Sequence, residues 1–146
     1  MQRCGRLCIS LATALLLIAG GSAVLAASPG QTYISFMRAI NEAKDLPQIY
    51  RFLPRFSVQE YEKLKKPDQM TRLKWYKHHY VHDIKIEAES DDGDTAEIAG
   101  SAICDRPDNK WKVQVFVTFL KEDGDWKIKE FRHDALKSPY GYQIRH

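Results

Sequence analysis

WKVQVFVTFLKEDGDWKI, residues 111–128, is the stretch on which the fold turns. Trp111, Val113, Val115, Val117 and Phe119 occupy every second position, with Phe116 and Leu120 on the other face. A period of two belongs to a strand, because successive side chains point to opposite sides of a sheet. Asp123-Gly124 then offers the two residues that tolerate positive φ, which a two-residue hairpin turn needs. Trp126, Ile128 and Phe131 take up the alternation again. The stretch therefore predicts two antiparallel strands.

Working upstream, Arg106-Pro107-Asp108-Asn109 is a turn, and before it Ala96, Ile98, Gly100, Ala102 and Cys104 alternate in a third strand. Its small residues imply that another element approaches closely. Asp92-Gly93 is a further tight turn. Before that, Ile84, Ile86 and Ala88 alternate with charged residues. Short connections make neighbours antiparallel, so the four strands form a meander.

Before residue 80 the period is helical. Tyr33, Ile34, Phe36, Met37 and Ile40 repeat at the spacing of one buried helix face, starting from Thr32. Residues 45–52 make a short turn or helix fenced by Pro47 and Pro54. Ser57-Val58-Gln59-Glu60 has the form of a capping box, which predicts a helix start at Ser57 with Val58, Tyr61 and Leu64 on one face. Pro67 interrupts, and Met70, Leu73, Trp75, Tyr76 and Tyr80 continue a helical pattern. Helices first and a curved sheet after them is an α+β architecture.

The chain opens with Arg3 and Arg6, an apolar run over residues 7–19, a Gly20-Gly21-Ser22 break and the small residues Val24-Leu25-Ala26. That order is the order of a secretory signal peptide, with cleavage expected between Ala26 and Ala27. The rival reading is an uncleaved anchor, since residues 7–27 are just long enough to cross the ~30 Å of hydrocarbon in a bilayer. Cys4 and Cys8 precede the cleavage point and do not mark a lipoprotein. The expected organisation is a signal peptide at 1–26, one α+β domain at 27–137 and a tail at 138–146. Localisation is then exported, periplasmic or secreted, with no integral span once the leader is removed. The leader takes two of the 22 basic residues, leaving 20 against 19 acidic ones and a formal charge of +1. A nearly neutral exported domain lacks the positive field of a nucleic-acid binder. Cys104 is the one cysteine after the leader, so no internal disulfide forms; it reads as a buried strand residue or as a thiol for an intermolecular bridge.

Tyr33-Ile34-Ser35-Phe36-Met37, Asp92-Gly93-Asp94-Thr95-Ala96 and Glu122-Asp123-Gly124-Asp125-Trp126-Lys127-Ile128 together resemble the nuclear transport factor 2-like superfamily over residues 30–135. The small exported members are the ones it looks like, although it departs from lipid-anchored members in having no cysteine at the cleavage site. The resemblance implies helices packed on a curved four-stranded antiparallel sheet, a cone with room for a pocket. It implies no single activity, since this fold hosts enzymes, binders and secretion components alike.

Four groups of residues bear on chemistry. His78, His79 and His82 form a cluster in which His78 and His82, if helical, share a face suited to zinc or copper; as the edge of a helix-to-strand junction they are simply solvated. His133-Asp134 offers an acid–base couple with Asp83 or Tyr76, as enzymes of the resembling superfamily place an Asp or His within the cone. Lys63, Lys65, Lys66, Arg72, Lys74 and Lys77, interleaved with Trp75 and Tyr76, make a basic patch fit for anionic headgroups, cell-wall polymers or an acidic protein, or else the wet face of a helix. Acids gather around the first hairpin, at Glu87, Glu89, Asp91, Asp92, Asp94 and Glu97. Gly-rich phosphate loops, Gly-x-Ser-x-Gly elbows and Cys-x-x-Cys pairs do not occur after the leader.

The sequence thus reads as an exported, non-catalytic binding module of the bacterial envelope. It meets a protein or envelope partner through Lys65, Lys66, Arg72 and Lys74 or through its sheet, where it can also pair with a second copy. Tyr76, Trp111 and Phe116 are the candidates to line a pocket. The alternatives are a small-ligand carrier or isomerase-like or dehydratase-like enzyme using the cone, and metal binding by the histidine cluster. The main reading names no catalytic residue, no cofactor, no metal and no nucleic acid.

Overall fold

The computed structural model describes residues 27–107 and 109–136. The expected leader and the expected tail lie outside the described residues. Helix α1 spans Pro29–Glu42. It starts three residues before Thr32, because Ser28 caps it by accepting the Gln31 N–H at 3.3 Å, and Pro29 suits a first turn that needs no N–H. Tyr33, Phe36, Met37 and Ile40 are fully buried on its inner face, each worth about 2 kcal/mol of apolar burial. A 3₁₀ segment, Leu46–Phe52, carries Leu46, Ile49 and Phe52 into the same core.

Helix α2 spans Arg55–Glu62 and corrects the expected start at Ser57. Pro54 stands at its N-cap without a side-chain bond, and the Ser57 N–H donates to the Pro54 carbonyl at 3.0 Å. No capping box forms, since Ser57 is already inside the helix and the Glu60 carboxylate pairs with Lys63 at 2.6 Å. Helix α3 spans Lys66–His78, opened by Pro67 and burying only Leu73 and Tyr76.

Four strands follow: β1 His82–Asp91, β2 Thr95–Arg106, β3 Asn109–Glu122 and β4 Asp125–Ala135. They form one antiparallel sheet in the order β1-β2-β3-β4, the expected meander. Asp123 and Gly124 turn β3 into β4 with φ of 53° and 86°, so Glu122 faces Asp125 across a two-residue loop. Gly100 explains the run of small residues in β2. A Cβ there would run into the backbone carbonyl of Lys85, where β1 passes close beside two irregularities in its register.

One face of the sheet presents Ala96, Ile98, Ala102, Cys104, Val113, Val115, Val117, Phe119, Trp126 and Ile128, all buried beneath the helices. Sheet and helix layer are also tied at the entry to α1, where the Gly30 N–H donates to the Glu89 carboxylate at 3.0 Å. That bond places a negative charge on unpaired amides at the positive end of the helix. Helices ahead of a four-stranded antiparallel meander, covering one face of it, are the α+β layout the resemblance implied. Among the described residues, no helix is long and apolar enough to cross a membrane.

Candidate functional site

A part-buried polar contact between the layers joins α1 to β4. Tyr33, fully buried, meets His133 with its Oη 2.6 Å from Nε2. Burial raises the Tyr33 phenol well above its ordinary range, so it keeps its proton. Burial first, and then the charge of His79, push His133 down to about 4, with Asp134 pulling the other way. Both groups are therefore neutral at pH 7, and the arrangement that suits them is the phenol O–H donating to Nε2.

Around this pair the interior is filled with rings. Phe36, Tyr76 and Phe131 meet in a triangle, with centroids 5.8 Å apart for Phe36–Tyr76, 5.9 Å for Phe36–Phe131 and 6.2 Å for Tyr76–Phe131. Phe52 closes on Phe36 at 5.7 Å. Tyr76 shares a 3.1 Å hydroxyl bond with Tyr61, and burial raises its phenol as well. Phe131 also touches Trp75 on α3 and His79 just past its end, so the ring cluster runs from the core out to the surface.

The opposite face of the sheet is left uncovered by the helices. It holds an open groove of about 490 Å³ floored by Ala88, Ala99 and Phe116 and rimmed by Glu97, Glu130 and Arg132. Phe116 is 36% exposed there, and the Arg132 guanidinium lies over its ring at 5.0 Å. Arg132 is held in place by Asp134, whose carboxylate accepts its Nε–H at 3.0 Å.

The residues singled out in the sequence separate as follows. His133 pairs with Tyr33, not with Asp83 or Tyr76; Asp134 serves Arg132; Asp83 takes the Nδ1–H of its neighbour His82 at 2.9 Å; and Tyr76 is bonded to Tyr61. The proposed acid–base couple is thus dispersed, because alternate residues of β4 face opposite sides of the sheet. His78 and His82 do not share a helix face, since α3 stops at His78 and β1 begins at His82. His79 caps that stop, its Nδ1–H donating to the Trp75 carbonyl at 2.8 Å, while the other ring nitrogen of His82 faces Asp105 at 3.1 Å. Among the described residues, no group of three His, Cys, Asp or Glu side chains is placed to hold a metal ion.

Tyr76 lies in the buried core, Trp111 is half-buried at the far end of β3, and Phe116 lies on the uncovered face, so the three do not share a pocket. Lys65, Lys66, Arg72 and Lys74 are all exposed on or just before α3. Cys104 is buried on the inner face of β2. The residue that sequence reasoning missed is Tyr33, which reads as one more apolar anchor of α1; its partner lies 100 positions away.

These layers define a class: a small α+β domain with an aromatic interior and, among the described residues, one sheet face that no helix covers. Among solved structures, a designed nuclear transport factor 2-like protein matches with a TM-score of 0.48 and 10% identity, over 71% of this chain and 91% of the design. No family model and no curated protein matches the chain. The fold class rests on the layers and the meander, and the likeness adds no activity to it.

Proposed function

We propose that this chain is an exported, non-catalytic binding module that docks a protein partner on the uncovered face of its sheet. The observation carrying this reading is the groove over Phe116: a large aromatic side chain stands exposed between small residues, inside a rim carrying both signs of charge. Exposed aromatic anchors with polar rims are what protein interfaces are built around. The ring triangle of Phe36, Tyr76 and Phe131 supports it from the other side, because its rings pack against one another between the helices and the sheet. A rim bearing Glu97, Glu130 and Arg132 together also suits a second copy, since a two-fold interface must complement itself.

The test is a photo-crosslinking residue at position 116, compared with one at the exposed Gln59 of α2. Adducts at 116 alone, lost when the rim charges are reversed by Glu130→Lys and Arg132→Glu, support the reading, and the mass of the adduct separates a second copy from another protein. Equal adducts at both positions, or none at 116, refute it. Export itself is checked by the N-terminal mass of the protein recovered from cells.

A second reading, a small-molecule site, is favoured by one observation, the part-buried Tyr33–His133 pair. A phenol donor beside a neutral imidazole is acid–base equipment when a substrate reaches it. A compound screen followed on the His133 imidazole signals decides it: if no compound moves them, the reading is retired.

A further inference from the structure

The exposed side of α3 carries mostly positive charge beside an exposed ring. Lys65, Lys66 and Lys74 have no carboxylate within ion-pair distance among the described residues, whereas Lys63 nearby is paired with Glu60 at 2.6 Å. Arg72 is spread over two rings, 5.4 Å from the Tyr61 centroid and 5.9 Å from that of Trp75. Asp68 is the sole acid on the helix.

Trp75 is 43% exposed but not loose. His79 lies against it with centroids 4.2 Å apart, Tyr76 meets it edge-on at 5.2 Å, and Phe131 braces it at 5.8 Å. A ring this well supported on its inner side and bare on its outer side costs little entropy when it is covered. An indole with an apolar body and a polar N–H, fixed beside Arg72 on the same helix as these lysines, matches the boundary layer of a bilayer: phosphates for the cations, and the headgroup level for the ring.

We infer that α3 is a docking surface for an anionic lipid bilayer, with Lys65, Lys66, Arg72 and Lys74 meeting lipid phosphates and Trp75 entering the headgroup layer. The inference goes beyond the sheet-face reading and does not depend on it. The helix layer and the bare face of the sheet lie on opposite sides of the domain, so both can be occupied at once.

The experiment mixes the chain from residue 27 onward with vesicles of phosphatidylcholine containing a third phosphatidylglycerol, and with pure phosphatidylcholine vesicles. Each cation near such a surface strengthens partitioning about fivefold. Replacing Lys65, Lys66 and Lys74 by Gln therefore weakens binding to the anionic vesicles on the order of a hundredfold, without a change in the circular dichroism spectrum. Binding weakens with added salt as the Debye length falls. A blue shift of tryptophan emission accompanies binding and is lost in Trp75→Phe, while Phe116→Asp leaves it intact.

Equal binding to both kinds of vesicle, binding that survives the lysine substitutions, or no binding at all overturns the inference. So does capture of polyglutamate but not of vesicles, which would make the partner an acidic polypeptide. Failure of the vesicle arm leaves the crosslinking result at 116 standing on its own.

Discussion

Lowering the pH from 7 to 5 should destabilise this domain more than its carboxylates alone account for, with His133 as the cause. In the folded chain its imidazole is pushed down to about 4, chiefly by burial and secondarily by His79, while the unfolded value is about 6.5. A group whose folded value is depressed favours the folded state above the unfolded value, and that advantage drains away as the pH falls through the folded value. At pH 5 the unfolded imidazole is almost wholly protonated and the folded one only about a tenth so, a gap of about 1.5 pH units or ~2 kcal/mol. The loss reaches about 3 kcal/mol near pH 4 and then levels off. For a domain of this size ~2 kcal/mol corresponds to roughly 8 °C in Tm.

The perturbation is His133→Gln, which keeps an acceptor for the Tyr33 hydroxyl but does not titrate. Urea melts of both proteins at pH 7, 6, 5 and 4.5 give the difference directly, because every carboxylate contributes equally to both and cancels. Wild type should lose about 2 kcal/mol more than the variant between pH 7 and 5. Parallel losses in the two proteins would show that the imidazole is solvated, and the account of a neutral Tyr33–His133 pair would be wrong.

Other perturbations probe the joints of the fold. Gly100→Val drives a side chain against the Lys85 carbonyl, which is backbone and does not move aside, so stability should drop by about 2 kcal/mol or more in chemical melts; an unchanged midpoint would mean that β1 does not pass so close. Glu89→Ala removes the acceptor of the Gly30 N–H and the charge at the start of α1, and should cost about 1 kcal/mol by thermal melt at low salt, with Glu89→Gln recovering part of it. Phe36→Ala opens the ring triangle and should cost about 3–5 kcal/mol, read from urea midpoints.

The meander was legible because its signals are local. Alternation at Trp111, Val113, Val115, Val117 and Phe119 fixes which face each residue takes, and Asp123-Gly124 fixes the register of the next strand without reference to anything distant. The helix starts were less legible because two local signals competed. Ser57 with Glu60 spells a capping box, but the chain had already become helical at Arg55, where Pro54 sets an extended entry and Arg55 is tethered to the far hairpin by its backbone N–H to Glu122 and its guanidinium to Asp123. The helix therefore begins at Arg55, beside this tertiary anchor, and not at the cap the sequence offers.

The pairing at the centre of the domain was not legible for a different physical reason. Nothing within several residues of Tyr33 distinguishes it from Phe36 or Ile40, and its hydroxyl gains meaning only when the last strand arrives with His133. Local patterning decides which side chains are buried; it does not decide which buried polar atoms meet, since that depends on strand register, sheet twist and the angle of α1 together. A buried hydroxyl left alone would cost about 1–3 kcal/mol, so the packing that places His133 beside it is energetically constrained even though it leaves no trace in the periodicity. The same logic explains why the surfaces were easier to find than the interior site. Lys65, Lys66 and Lys74 are informative because no carboxylate among the described residues pairs with them, and Phe116 because the sheet places it on the face the described helices do not cover.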